Sequence, residues 1–247
     1  MTSKEEVARL SWDSSFFGKE CGSVELTTED SLTDELLKSF TQYDFVKLVN
    51  ENNLSSINTW IGEQTTAYLT DMNVIFSYDL TRQSQQVRKQ SFSAICQPLD
   101  ADNVQELTAV KEMAKSSFTH TRFFNDKKFS REQVEKVYEN WVGNAIADSS
   151  KELSVLKEAG VVVGFIVLKK EEAAKQLTIE LIAVKEGSRG RGYGSQLMDF
   201  SKETAEKNEL KRIIVGTQID NLQGMNLYIK NGFFVNKKRS IYHLWHA

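Results

Sequence analysis

"EGSRGRGYGSQLM", residues 186–198, sets four glycines and two arginines between an apolar run, "LTIELIAV" (177–184), and a segment with helical periodicity. Closely spaced glycines between a strand and a helix let successive backbone N–H groups converge on one point. The helix N-terminus adds the positive end of its dipole. A phosphate or pyrophosphate suits such a loop, and Arg189 and Arg191 stand at its rim for charge-assisted contacts. Spacing narrows the guest. Gly190, Gly192 and Gly194 run G-x-G-x-G, which is not the dinucleotide pattern G-x-G-x-x-G, and no G-K-[ST] is present for a nucleotide triphosphate. Taken alone, residues 189–194 also fit a glycine-rich turn with no ligand.

Outward from the loop, the pattern reads as alternating elements. Upstream, "ELSVLKE", "VVVGFIVLKK" and "QLTIELIAV" predict three strands, with Ala159-Gly160 as a tight hairpin turn and an antiparallel meander as the result. Before them, Val134, Val137, Tyr138, Trp141, Val142, Ala145 and Ile146 predict an amphipathic helix over 131–148. An earlier helix starts at Asp100 or Asp102 as N-cap, with Val104, Leu107, Ala114 and Phe118 at helical spacing, after a strand "SAICQPL". Downstream, a helix over 192–208, a strand "RIIVGTQ", a short helix over 221–231 and a strand after Gly232 follow. A strand, helix, strand step implies one parallel pairing in an otherwise antiparallel sheet.

"TRQSQQVRKQS", 81–91, is polar and basic with only Val87 apolar inside, and is expected to be a linker. It divides the chain into a small α/β domain, 1–80, and a larger domain, 92–247. The first half predicts strands at "GSVEL", "DFVKLV" and "NVIFSYDL" and helices near 31–42 and 54–64. "LSWDSSFFG", 10–18, reads on its own as an aromatic-rich strand and turn packed into that half's core.

Composition sets limits. A chain of 247 residues with 40% hydrophobic and 26% charged residues has material for a sizeable core. Its formal net charge of -3 argues against a general attraction to nucleic acid or anionic membrane, so any phosphate binding must be local. Cys21 and Cys96 stand far apart without a CxxC or a histidine cluster, so neither a disulfide framework nor a metal site is indicated, and both are expected to be buried. No apolar stretch approaches 18 uncharged residues and the N-terminus has no signal-peptide core, so a cytoplasmic location is expected.

"RGRGYG", 189–194, matches R/Q-x-x-G-x-G/A, and "TQIDNLQGMNLYIKNGFF" supplies Asn221, Tyr228, Gly232 and Phe233 in an order that ends in Y-x-x-x-G-F. With the meander before and the parallel strand after, this resembles the GNAT acyltransferase superfamily. The resemblance implies an α/β (α+β) GNAT fold, with a mixed, mainly antiparallel central sheet preceded by the smaller α/β domain. It implies acetyl-CoA as co-substrate, its pyrophosphate on Arg189, Gly190, Arg191, Gly192, Tyr193, Gly194 and Ser195. The backbone of Ile182, Ala183 and Val184, where two strands splay, would pair with the pantetheine arm, and Asn221 would cap the next helix and contact the pantetheine amide. A free N–H at that splay would also stabilise an oxyanion.

The opening "LSWDSSFFG", "THTRFF" at 119–124 and "T-Q-x-x-N" leading to "Y-I-x-x-G" together resemble the dTDP-fucosamine N-acetyltransferases from about residue 8 to the end. The segments 81–92 and 124–131 depart from that family's pattern. The resemblance implies direct attack by the amine of a dTDP-4-amino-4,6-dideoxyhexose on the thioester, for surface glycan synthesis, by a homodimer that needs no metal. Tyr228 is the expected proton donor to the leaving sulfur, since an unperturbed tyrosine, of pKa about 10, stays protonated at neutral pH. On the nucleotide-sugar side, Arg122 is the candidate for the diphosphate, Trp12, Phe16 and Phe17 for stacking or shaping the wall, and Gln218 for a further contact.

A general base is not evident. Glu180 reads first as surface charge, His120 as exposed or structural, and His243 and His246 as less promising still. Two other readings stand beside this one: a GNAT enzyme acting on another small amine, and a catalytically silent acyl-CoA-binding sensor.

Overall fold

A computed structural model describes residues 6–81 and 94–246. All of the expected linker except Thr81 lies outside them.

Two compact units emerge, and neither is one continuous stretch. The first takes Met1–Val74, His120–Ser130 and Lys237–Ala247, the second Ile75–Thr119 and Arg131–Asn236. The sequence predicted a division at the linker. Pairings between residues nearly 200 positions apart bring the C-terminal strand into the first unit, and no local pattern encodes such a pairing.

The second unit holds strands β5 (Ile95–Pro98), β6 (Lys151–Glu158), β7 (Val161–Glu171), β8 (Gln176–Val184) and β9 (Arg212–Gln218). Its strand order runs β9-β8-β7-β6-β5. The β5/β6, β6/β7 and β7/β8 pairs are antiparallel, and β8/β9 is parallel across helix α7 (Tyr193–Lys207), as predicted. Ala159 and Gly160, with φ of 47° and 81°, turn β6 into β7; the left-handed region at both positions matches the right-handed twist of the flanking strands. β7 is buried without interruption from Val162 to Leu168. Such a run belongs to a strand covered on both faces.

Helix α4 (Val104–Ser117) packs on β7 and β8, and α6 (Arg131–Ala147) packs on α4 and β6. The cap of α4 is Asn103, not Asp100 or Asp102, because its Oδ1 accepts from the N–H groups of Gln105 and Glu106 at 3.1 and 3.2 Å. Val104 then falls in the first turn and is exposed, while Val110, Met113 and Ala114 make the buried face. In α6, Val134, Val137, Tyr138, Val142 and Ala145 are buried as expected, whereas Trp141 lies exposed beside the Tyr138 ring. Cys96, on strand β5, is half-buried rather than buried.

The first unit starts with β1 (Ala8–Arg9), α1 (Ser11–Phe17), β2 (Cys21–Leu26), α2 (Asp34–Phe40), β3 (Phe45–Asn50) and α3 (Ser55–Gln64). β4 (Tyr68–Asp79) and β10 (Phe234–Trp245) each run through both units. In the first unit β2 pairs antiparallel with β1 and parallel with β3, and β3 pairs antiparallel with β10 from Phe45↔Trp245 to Asn50↔Ser240. One face of this sheet carries Val24, Leu26, Val46, Leu48 and Leu244 into a core with Leu36, Phe40, Ile57 and Ile61 of α2 and α3. The stretch 11–17 is a helix rather than a strand. Ser14 N–H donates to Leu10 O at 2.8 Å, and Gly18, at φ 65°, closes the last turn onto Ser14 O.

Candidate active site

The β8/β9 ladder runs only from Gln176↔Arg212 to Ile179↔Val215, although β8 continues to Val184 and β9 to Gln218. On its other side β8 stays paired through Ile182↔Ile166, Ala183↔Phe165 and Val184↔Gly164. The register slips opposite Val167 and Leu168, so Glu180 is an extra residue in β8, and a bulge of this kind bends a strand away from its neighbour. Residues 182–184 thereby have no β9 residue opposite them. An extended amide chain can add there as a further strand. Gly164 lets β7 follow β8 closely, since a Cβ on it would lie 2.9 Å from the Ala183 carbonyl oxygen.

The glycine loop follows at once. Gly190 and Gly192 sit at φ 77° and 88°, and Gly192 is the residue from which α7 departs, with no side-chain cap on the first N–H groups of the helix. Those donors are free to meet an anion. Gly194 serves a different purpose: a Cβ on it would stand 3.0 Å from Leu227 Cδ1, so it sets how closely α7 approaches helix α8 (Leu222–Lys230). Arg189 Nε donates to the Val184 carbonyl at 3.3 Å, and exposed Arg191 pairs with Glu158 at 2.8 Å beside the Tyr193 ring. Tyr193 is buried, and Ser195 Oγ accepts from Asn231 Nδ2 at 3.2 Å.

Asn221 caps α8, with Oδ1 accepting from Gly224 N–H at 3.0 Å and Nδ2 donating to Thr217 Oγ1 at 2.9 Å. One amide N–H of Asn221 stays uncommitted by these bonds. Tyr228, two turns along, is 4% exposed, with its ring against Phe76 and Phe233. Its hydroxyl makes no hydrogen bond with any described residue. Burial pushes its pKa above the ordinary tyrosine value, so the proton stays on oxygen well into the alkaline range. The side chain of Gln218, at the end of β9, is half-buried and likewise makes no hydrogen bond among the described residues. Glu180 is not the surface charge its sequence context suggested: its carboxylate is largely buried and lies 2.8 Å from Lys151 Nζ.

The expected nucleotide-sugar residues all lie in the first unit except Gln218. Trp12 and Phe16 stack at 4.9 Å with ring planes 10° apart, and Trp12 remains 40% exposed. Phe17 turns inward against Phe123 and Phe129. Arg122 lies over the Phe123 ring, 3.4 Å from Asp13 Oδ2 and 3.2 Å from His243 Nε2. His243, which sequence reasoning set aside, is fully buried. A guanidinium only donates, so Nε2 accepts and Nδ1 carries the proton, which it donates to Asp126 Oδ2 at 2.7 Å.

Asp126 also accepts from Tyr68, Trp245 and the Lys128 N–H. Burial opposes its ionisation, but these bonds outweigh burial and hold its pKa below the usual carboxylate range. Burial likewise pushes the His243 pKa down to about 4, so the imidazole is neutral. No sequence signal marks this network, whose members come from positions 13, 68, 122, 126, 243 and 245. His120 is exposed, and His246 Nδ1 donates to the Tyr43 carbonyl.

Residues 108–233 match the Acetyltransferase (GNAT) family, which is more than half of the chain. The chain belongs to the GNAT acetyltransferase family. Members of this family use acetyl-CoA, and the unpaired β8 edge, the Gly192 turn and the uncapped start of α7 fit that donor. The spore coat polysaccharide biosynthesis protein SpsD of Bacillus subtilis (strain 168) is 28% identical over 138 residues, 56% of this chain and 47% of its own. This GNAT chain therefore spans about half the length of that relative. The dTDP-fucosamine acetyltransferase of Escherichia coli O6:H1 is 23% identical over 236 residues, covering 94% of this chain and 95% of its own.

Among solved structures, a GCN5-related N-acetyltransferase from Sphaerobacter thermophilus superposes with a TM-score of 0.66 at 12% identity, over 98% of this chain and 76% of that one. It shares the GNAT fold, α+β with a mixed, mostly antiparallel sheet. Among the described residues no helix is long and apolar enough to cross a membrane, and no group of three His, Cys, Asp or Glu side chains is placed to hold a metal.

Proposed function

We propose that this chain transfers the acetyl group of acetyl-CoA to the amine of a dTDP-4-amino-4,6-dideoxyhexose, in the synthesis of a surface glycan. The observation that carries the substrate class is the likeness to a dTDP-fucosamine acetyltransferase along 94% of the chain, so that it takes in the first unit as well as the GNAT core. The partial likeness to a polysaccharide biosynthesis protein points the same way.

Acetyl-CoA, when bound, supplies a thioester carbonyl open to attack by a neutral amine. The backbone of residues 182–184 binds and orients the pantetheine arm, and a free N–H there stands ready for negative charge on the carbonyl oxygen. Gly190, Gly192 and the first turn of α7 take the pyrophosphate, with Arg189 and Arg191 exchanging their present partners for it. Tyr228 holds a proton at its hydroxyl and yields it to the leaving sulfur. Arg122, Trp12 and Phe16 serve the nucleotide sugar, and Phe17 supports them from below. No side chain is needed as a base if the amine loses its proton to water.

Release of CoA thiol, followed with acetyl-CoA and a panel of dTDP-4-amino-4,6-dideoxygalactose, its glucose epimer, the matching UDP sugars and an aminoglycoside, tests this reading. Rapid release with one dTDP amino sugar is expected. Acetyl-CoA binding with no turnover of any nucleotide sugar would remove the substrate assignment and leave another amine, or a sensing role, in its place.

A further inference from the structure

The face of the first unit's sheet that turns away from α2 and α3 is polar at its middle. Phe45 and Lys47 of β3 lie on it, opposite Trp245 and His243 of β10 and beside Cys21 and Ser23 of β2. Phe45 confirms the facing, since its ring touches both His243 and Trp245, at 4.8 and 4.7 Å. Lys47 therefore shares a face, one strand across, with the imidazole that holds Arg122.

Lys47 is half-buried, yet its ammonium has no ion pair or hydrogen bond with any described residue. A lysine in that position normally finds a carboxylate. Charged groups that act on it include Arg122, Asp13, Arg239 and Glu25. Arg239 is paired with Glu51 at 3.4 Å, Asp13 with Arg122, and Glu25 is exposed. Lys47 and Arg122 thus stand on one sheet face as two cations, with the Asp13 carboxylate 3.4 Å from the guanidinium. Neutral His243, fixed by Asp126 in the tautomer that accepts at Nε2, orients the guanidinium without adding a negative charge to that of Asp13.

We propose that Lys47 and Arg122 form a diphosphate-binding site on this sheet face, two cations sharing one anionic group, with the His243–Asp126 pair as the positioning device for Arg122. Burial, followed by the charge of Arg122, pushes the Lys47 pKa down to about 8, which is the penalty that a bound anion would relieve. The diphosphate as natural occupant rests on the nucleotide-sugar reading above. The anion site itself rests on the two cations.

Inorganic pyrophosphate and dTDP are titrated calorimetrically into the full-length protein and into Lys47→Met and Lys47→Arg. Loss of one charge-assisted contact is worth about ten-fold in affinity, so Lys47→Met is expected to weaken pyrophosphate by at least about that factor and Lys47→Arg to restore most of it. Acetyl-CoA affinity and melting temperature are expected to hold in both, since the Lys47 ammonium makes no bond with any described residue. Pyrophosphate binding that is absent in the wild type, or unchanged in Lys47→Met, overturns the proposal. The panel assay separates the two readings: pyrophosphate binding that depends on Lys47 without turnover of any nucleotide sugar keeps the anion site and removes the substrate, and turnover that is indifferent to Lys47 does the reverse.

Discussion

Gly192 and Gly194 are two positions apart in one motif and meet different physical demands. At φ 88° a side chain on Gly192 costs about 1–2 kcal/mol, and the strain falls in the turn proposed to take the pyrophosphate. Gly192→Ala is therefore expected to weaken acetyl-CoA about 5- to 30-fold by calorimetry. Gly194→Ala, which asks only that the end of Leu227 give way, should stay within about three-fold. An equal loss in both would mean that the loop's backbone direction is not what matters.

Tyr228 belongs to the same scale. Its hydroxyl has no hydrogen-bond partner among the described residues, so Tyr228→Phe removes one proton and little packing. The expected result is a fall in kcat of about 100-fold or more with acetyl-CoA affinity unchanged. A variant with full turnover would exclude the hydroxyl as donor to sulfur.

Among elements, β8 is the one whose irregularity matters most. A regular strand would have continued its ladder with β9 to the end, and the slip at Glu180 ends it after Ile179. Gly164 on the neighbouring strand preserves the path of the freed segment. In Gly164→Ala the new methyl group meets the Ala183 carbonyl, which must move, and acetyl-CoA KM is expected to rise about ten-fold while the protein stays folded by circular dichroism.

The positions of the strands were legible in alternation and in turn residues: "RIIVGTQ" is β9 residue for residue, and Ala159-Gly160 is the hairpin turn. The bulge was not, because an inserted residue changes which face each neighbour shows without changing composition. Helix α1 was misread as a strand for a related reason. Trp12 and Phe16 stand four apart, the spacing of one helical face, but in so short a segment the same residues also fit an extended aromatic cluster.

At the scale of the whole molecule, the first unit has a pH-sensitive centre. His243 is neutral when folded, with a pKa near 4, whereas an unfolded histidine titrates near 6.5. Between those values the unfolded chain binds more protons than the folded one, so stability rises with pH across that window and is lost as pH falls through it. Asp126, held below the ordinary carboxylate range, extends the loss below pH 4. The urea midpoint is expected to fall steadily from pH 7 to pH 4.5, by about 1–3 kcal/mol in unfolding free energy. A midpoint that does not change would mean that His243 is not buried as the neutral form.

From the sequence alone came the glycine loop, the order of strands and helices around it, the parallel step across α7, and Tyr228 on the helix that ends before Gly232. Each is a short-range pattern, written in periodicity of 2 or 3.6 and in residues that turn the chain or cap a helix. Only the tertiary structure decided that the C-terminal strand completes the first unit. It also revealed the slip at Glu180 that frees an edge, the fixing of Arg122 by His243 and Asp126, and Lys47 beside them with no partner among the described residues. Those features depend on which residues meet after distant strands pair, and the free energy of such meetings lies in burial and partner geometry, which adjacent positions in a chain do not record.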